Sequence, residues 1–470
     1  MPSSKVYRAI AWACLASWFY GYHITELNFP AQSLTCYARP NEVTPLLPNC
    51  IGLDQTRYGI VTAMLTAGGL VGSALSDRVV SSEGIAGGIV WTGWLNLFGA
   101  LLMAGAPNWL VMLLGRFVAG LACGLAVCLV PPFLATIARS TPELAGRTGQ
   151  IGTLHQLAIV LGICSSQIIG LLLTGPKGDK PGAWRYVCLV PGAASLIQIG
   201  MAAQSPHGDA KVAPPRRDEE ERAGTPTPGG YGASDEAAAP LLGDAAPTAA
   251  THANSSDHQL SIRDLLSTPA LRRPALLVTA VLSLQQFSGV NAVLFYSTPV
   301  LLALSRPGDT SAGAISIAIT VVNAIMTLPA VYLVDRVGRR QLLLWSIIGM
   351  GFMSVLLGYG LDQSYKVMSA VAIVAFIACF AFGYGPVPFL LISEMAPPHA
   401  VPALSSLALS ASWISSFIVA IAFLPLRDWL SVPKDPRDPQ SPRTAEGRVF
   451  YVFTAMLALS AIVVWRGVPK

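Results

Sequence analysis

The sequence predicts an all-α membrane protein of twelve transmembrane helices arranged as two six-helix halves. Three observations carry this expectation. Of 470 residues, 53% are hydrophobic and only 12% are charged, with a mean hydropathy of +0.55; a soluble domain carries about 25% charge. Apolar blocks of membrane-spanning length follow one another along the chain. The two halves also repeat: Asp77-Arg78 recurs as Asp335-Arg336, and Pro132-Phe133-Leu134 as Pro388-Phe389-Leu390, at nearly the same offset. A six-plus-six duplication places a solute site between halves related by an axis along the membrane normal.

The blocks start near Ala9, Tyr58, Gly87, Trp109, Gly149 and Trp184 in the first half. In the second they start near Pro274, Ala312, Gln341, Val367, Pro402 and Val449. Several are interrupted by Gly and Pro, which transport helices tolerate. The first block follows Lys5 and Arg8 without a convincing cleavage site, and reads as a retained helix rather than a signal peptide.

Between the halves, residues 205–260 are rich in charge, Gly, Pro, Ala, Ser and Thr. Such a stretch cannot bury enough apolar area to offset ordering entropy, so disorder is expected. The domain reading is therefore 1–204, a cytoplasmic linker 205–260, and 261–470, the last opening with a short amphipathic helix from Ser261. Arg139/Arg147, Arg216-Arg217-Arg222, Arg272-Arg273 and Arg336-Arg339-Arg340 fall on one side and place both termini in the cytoplasm. Lys177, Lys180, Arg185 and the loop 427–448 moderate that bias.

Six of eight cysteines lie in apolar blocks, where a thiol behaves as a small apolar group. None shows metal spacing. Cys36 and Cys50 share the first loop and are able to pair in an oxidising lumen.

The most informative string is Gln285-Gln286-Phe287-Ser288-Gly289-Val290-Asn291, inside the seventh block. Amides in a lipid-spanning helix are costly unless satisfied, and a water-filled cavity holding a polar solute satisfies them. On an unbroken helix, at roughly 100° per residue, Asn291 would point about 140° away from Gln286. Ser288-Gly289 offers a place to unwind and bring both to one cavity. The competing reading is polar glue between helices.

Gln156 and Asn323 are further span-embedded amides, and Trp413 is suited to stack on a ring-shaped solute. Each alone reads more readily as helix–helix glue; their value is collective. Arg116 is a cation within an apolar block and needs a partner or a cavity. His23 and Glu26, three apart in the first block, supply a proton-exchanging group or a static charge pair. Asp335, Arg336, Arg339 and Arg340 surround a Gly turn at a helix end, where charge pairs are suited to latch one conformation. Asp77 and Arg78 are a degraded first-half copy, and Glu394 is counted with the gating set.

These motifs resemble the sugar porter family of the major facilitator superfamily over nearly the whole chain. The stretch from Gln285 to Ala292 looks like its seventh-helix signature, and Gly152-Thr153-Leu154-His155-Gln156-Leu157 like its fifth-helix sugar contact. Gly115-Arg116, Trp184-Arg185, the run from Asp335 to Arg340 and Gly385-Pro386-Val387-Pro388-Phe389 fall in family order. Gly21-Tyr22 and Glu26-Leu27-Asn28 look closer to a fungal vacuolar-membrane branch.

The resemblance implies that Gln156, Gln285, Gln286, Asn291 and Asn323 hydrogen-bond sugar hydroxyls, with Trp413 nearby. Proton-coupled relatives have an Asp where this chain has His23, and facilitative relatives an Asn; Arg116 matches the Arg that pairs with that Asp. Either His23 or Glu26 substitutes as the proton site, or the protein is a uniporter. Phe389 stands where the family usually has Trp, and Thr136 where it has Glu. Ala203-Gln204-Ser205-Pro206-His207 replaces a charged box, and Val468-Pro469-Lys470 stands where the family continues. The sugar-facing amides are kept better than the latch charges, implying a weakened inner gate.

The expected function is transport of a hexose or similar polyhydroxylated solute, by uniport or proton coupling. The alternative is a non-transporting sugar sensor or trafficking factor. No nucleophile–base or metal constellation appears, so neither an enzyme nor a cofactor is expected. The partners expected are a sugar or polyol, the lipid bilayer and, if coupled, protons; no nucleic acid is expected, and a monomer suffices. Glu236 with Leu241-Leu242 approximates an acidic dileucine signal, which with the fungal-branch resemblance favours a vacuolar or endosomal membrane over the plasma membrane.

Overall fold

The computed structural model describes residues 4–36, 47–144, 147–203, 262–294, 311–397, 400–433 and 443–469. The first half is built from α1 (Ser4–Thr25), α2 (Gln55–Ala104), α3 (Trp109–Ser140), α4 (Thr148–Thr174) and α5 (Trp184–Ala203). After the short α6 (Ile262–Ser267), the second half comprises α7 (Pro269–Phe287), α8 (Ser311–Val337) and α9 (Arg339–Asp362). It continues through α10 (Lys366–Cys379), α11 (Val387–Glu394), α12 (Val401–Leu430) and α13 (Arg448–Gly467).

Ten described stretches are long and apolar enough to cross a membrane, and Ala314–Ala330 is a shorter apolar helix. With α1 they make the expected twelve spans. The only sheet among the described residues is a two-residue antiparallel pair, Val432–Pro433 with Arg443–Thr444.

Local chemistry fixes the helix ends. The Asp54 carboxylate accepts from Arg57 N at 2.7 Å and caps α2. Asn108 Oδ1 accepts from Leu110 N and Val111 N and caps α3. The second and third spans run on as one element, broken only at Gly84 (φ 73°, ψ 175°), a conformation open to glycine. The α1 helix ends at Thr25, one residue before Glu26, and a turn leads to Pro30. Glu26 therefore lies just past the helix and not within it as the sequence suggests; Asn28 N closes the turn on Thr25 O at 3.0 Å.

Small residues let backbones meet closely. A Cβ on Gly21 would fall 1.8 Å from the Ile159 carbonyl oxygen, so α1 and α4 touch backbone to backbone. The halves meet where α12 packs on α2 and α8 packs on α4.

The tenth span is interrupted by a π-turn over Phe380–Tyr384. Pro386 and Pro388 follow and supply no N–H. The missing donor at Pro388 leaves the Tyr384 carbonyl without its i+4 helical partner. Such turns widen a helix where function needs it.

The linker 205–260, with Glu236, Leu241 and Leu242, lies outside the described residues, as do the side chains of Asp77 and Asp335. Cys36 and Cys50 form a disulfide across a sequence separation of 14.

Candidate functional site

The break after α7 is where the sequence places it. The helix stops at Phe287, Ser288 and Gly289 form a turn with Gly289 at φ 87°, and helix resumes at Val290. A Cβ on Gly289 would meet the Phe453 ring at 2.4 Å, so both space and dihedral require glycine here.

This turn lays the three amides end to end. Asn291 Nδ2 donates to Gln286 Oε1 at 2.6 Å and to Ser416 Oγ at 2.8 Å. Gln286 Nε2 donates to Ser412 Oγ at 2.9 Å and to Gln285 Oε1 at 3.2 Å. Gln285 Nε2 donates to the Gly385 carbonyl at 3.2 Å and to the Tyr384 carbonyl that Pro388 leaves without a helical donor. The ladder is thus held by α12 on one side and the tenth span on the other. Fixed amides are preorganised to exchange hydrogen bonds with a solute.

All three amides line one cleft of about 780 Å³, open solvent included, together with Gln156, Asn323 and Trp413. The six residues expected to meet at one site are therefore gathered from α4, α7 and its continuation, α8 and α12. Tyr20, His155, Phe380, Phe389, Ser412 and Ser416 also line it. His155 Nδ1 and Ser17 Oγ are 2.7 Å apart, tying α4 to α1 beneath the cleft. Aromatic faces beside fixed polar groups suit a compact polyhydroxylated ring.

Trp413 has a second role that the sequence does not show. Its Nε1–H donates to Ser73 Oγ at 2.9 Å, and Ser73 Oγ donates to Gly124 O at 3.2 Å. Its ring fills the notch left by Gly69, whose added Cβ would meet it at 2.7 Å. Tyr20 packs on it with centroids 5.5 Å apart. Trp413 therefore joins the two halves while walling the cleft.

A buried charged cluster lies beside the cleft. Arg116 Nη1 donates to His23 O at 2.8 Å and to Glu26 Oε2 at 3.4 Å. His23 Nδ1 meets the same carboxylate at 2.7 Å, and its Nε2 meets Asn96 Oδ1 at 2.5 Å. Side chains of His23 and Glu26 are 0% exposed and Arg116 1%. Sequence reasoning groups His23, Glu26 and Arg116 but misses Asn96, whose only signal is being a lone amide in the third span.

Of the gating set, Arg339 Nε and Nη2 hold Glu394 at 2.9–3.1 Å. Arg339 Nη1 also donates to Val334 O at 3.0 Å, and Arg340 reaches the Trp465 carbonyl. Arg78 and Arg336 are exposed. The described contacts of Arg339 and Arg340 stay within the second half.

The sequence profile of the family described as "Sugar (and other) transporter" matches residues 9–470. The chain belongs to that family. Similar proteins include the "Probable metabolite transport protein YBR241C" of Saccharomyces cerevisiae, 29% identical across 97% of this chain and 91% of that one. The facilitated glucose transporter member 1 of Gallus gallus is 27% identical across 100% and 91%. Among solved structures, a D-xylose-proton symporter superposes with a TM-score of 0.71 at 18% identity, covering 99% of both chains. The xylose transporter XylE from E. coli, in a partially occluded inward open conformation, gives 0.70 at 18%, covering 99% and 100%. These likenesses fix the major facilitator fold for this transporter.

Proposed function

We propose that this transporter moves a hexose or similar polyhydroxylated solute by alternating access, rocking its halves around the cleft. The carrying observation is the ladder of Gln285, Gln286 and Asn291, which is anchored by neighbouring helices and shares one cleft with Asn323 of its own half and Gln156 of the other. A sugar ring offers several hydroxyls that both donate and accept, which side-chain amides match in kind. Trp413 supplies an apolar ring at the same cleft.

Relatives named as glucose transporters, and fold neighbours named as xylose transporters, support the sugar class. His23, Glu26 and Arg116 are assigned as the proton-responsive group if transport is coupled. The Arg339–Glu394 pair, with Asp77, Arg78, Asp335, Arg336 and Arg340, is assigned to gating. The fungal-branch motifs favour a vacuolar or endosomal membrane over the plasma membrane.

The test is flux of labelled hexoses, pentoses and polyols into proteoliposomes, with and without a pH gradient. Saturable uptake of one of them is the expected result. Correctly folded protein that moves none would sink the reading.

A further inference from the structure

On the side of the second half that the Lys and Arg distribution marks as cytoplasmic, α7 and α9 begin and α13 ends. Two contacts bring these ends together. Arg340 Nη2 on α9 donates to the Trp465 carbonyl in the last turn of α13. A Cβ on Gly467 of α13 would fall 2.3 Å from the Leu277 side chain, so the same turn lies directly on α7. Arg273 stands four residues before Leu277 and shares its face of α7, one turn nearer the aqueous phase. Arg466 sits between the two α13 residues that make these contacts.

Arg273, Arg340 and Arg466 therefore converge from three helices, with Arg272 beside them. Arg272, Arg273 and Arg466 are exposed and Arg340 is half-buried. Among the described residues no carboxylate pairs with any of the four; Glu394, on the same side, is held by Arg339. Like charges gathered without a counter-ion repel, and a bound anion offsets them. A guanidinium presents five donors in a planar fork that fits phosphate oxygens two at a time. Arg340 commits one of them to Trp465.

The surroundings place this anion in a bilayer. Trp465 is 58% exposed, with Ile462 at 50% on the turn before it and Leu276 at 52% on α7. An indole beside cations marks headgroup level, and the exposed aliphatic side chains continue toward the acyl region. An anchor for topology needs only net positive charge near the end of a span. It does not need three helices to meet, an indole at the same corner, or the lack of an acidic neighbour. Basic pockets between spans on the cytoplasmic side suit phosphorylated lipid headgroups.

We infer that the corner of α7, α9 and α13 binds a membrane lipid of the phosphoinositide class, whose headgroup carries phosphate monoesters. Arg273, Arg340 and Arg466 hold the phosphates, and Trp465 lies beside the glycerol backbone. The lipid thereby bears on the start of α7, the helix whose other end carries Gln285 and Gln286. The corner lies outside the cleft lining, so its occupancy is measurable whether or not a sugar is moved.

The test is native mass spectrometry of full-length protein released from detergent, with phosphatidylinositol monophosphate, phosphatidylserine or phosphatidylcholine added. A saturable adduct of one phosphoinositide is expected under conditions where phosphatidylcholine gives none. Arg273→Gln and Arg466→Gln should each weaken it about fivefold, and the double variant about tenfold or more. Neither side chain makes a hydrogen bond or ion pair among the described residues, so both variants should keep the wild-type unfolding midpoint. Arg147→Gln removes the same charge from the first half, on the side read as cytoplasmic, and should stay within about twofold of wild type.

Unchanged binding in the double variant would overturn the site. An equal loss in Arg147→Gln would overturn it too, by reducing the corner to general attraction for an anionic surface. Equal competition by soluble inositol bisphosphate, or by a peptide of this chain's acidic run Asp218-Glu219-Glu220-Glu221, would assign the arginines to that occupant and overturn the lipid.

Discussion

Trp413 on α12 donates its indole N–H to Ser73 on α2 at 2.9 Å, a hydrogen bond that crosses from the second half of the molecule to the first. The same ring occupies the space above Gly69 and faces the cleft. A residue that both walls the cleft and bridges the halves ties the shape of the cleft to the arrangement of the halves. In alternating access, such a contact must break in at least one state.

Gly69 is the sensitive position for that contact. A methyl group there would sit 2.7 Å from the Trp413 ring. Gly69→Ala should disfavour the arrangement described here by about 1–3 kcal/mol relative to states in which the halves part. Distances between spin labels on α2 and α12, read by pulsed electron resonance, should shift toward the parted population. An unchanged distribution in Gly69→Ala would show that the ring yields without consequence.

Gln286 is the middle of the amide ladder, accepting from Asn291 and donating to Ser412 and Gln285. Gln286→Ala removes the solute contact proposed for it and loosens both neighbours. Losing a buried hydrogen-bonding group of this kind costs about 1–3 kcal/mol, so sugar affinity should fall about tenfold while expression and folding hold. Equal affinity in the variant, measured by equilibrium binding to purified protein, would remove the ladder from the site.

Pro388 acts at a distance from the solute. It lacks the N–H that would otherwise engage the Tyr384 carbonyl, and that carbonyl accepts from Gln285 instead. Pro388→Ala should return a helical donor, compete with Gln285, and release the end of the ladder. Affinity should weaken by a few-fold, about 1 kcal/mol, although residue 388 is absent from the cleft lining. The double variant with Gln285→Ala should be no worse than Gln285→Ala alone.

The seventh-span break was legible because the amides are expensive in lipid and glycine supplies the bend: Gln286 and Asn291 fit only if the helix opens at Ser288-Gly289. Asn96 was not legible. A single amide in an apolar block reads as helix glue, and its partners lie 73 residues before it and 95 and 99 after it. The Trp413–Ser73 bond depends on how the halves meet, and no local pattern encodes that. Glu26 shows the limit at finer scale: apolar periodicity continues through it, but the helix ends at Thr25 because the chain turns toward Pro30.

Arg339 and Glu394 make a two-pronged pair with side chains 32% and 38% exposed. At that exposure the pair contributes about 0.2–1 kcal/mol to stability. Glu394→Gln should therefore move the unfolding midpoint by no more than about 4 °C. If the pair gates the cycle, uptake rate should change severalfold while affinity in detergent stays fixed. A rate that follows stability alone would reduce the pair to a surface contact.

The Cys36–Cys50 bond closes a loop of sequence separation 14. Closing a loop of this size restricts the unfolded chain by about 3 kcal/mol in the chain-entropy account. The folded loop has further anchors: Ile51 N donates to Leu34 O at 3.0 Å, Trp184 Nε1 to Asn49 O at 3.0 Å, and Arg185 Nη2 to Pro48 O at 2.8 Å. These bonds hold Pro48 and Asn49 against the start of α5, and Ile51 against Leu34, whether or not the sulfurs are joined. Cys50→Ser should thus lower the unfolding midpoint while leaving sugar affinity unchanged, because every residue lining the cleft lies outside the loop. Cys36→Ser and the double variant should match it, since either single change opens the same loop. Lost affinity at temperatures well below the midpoint would instead tie the loop to the solute site.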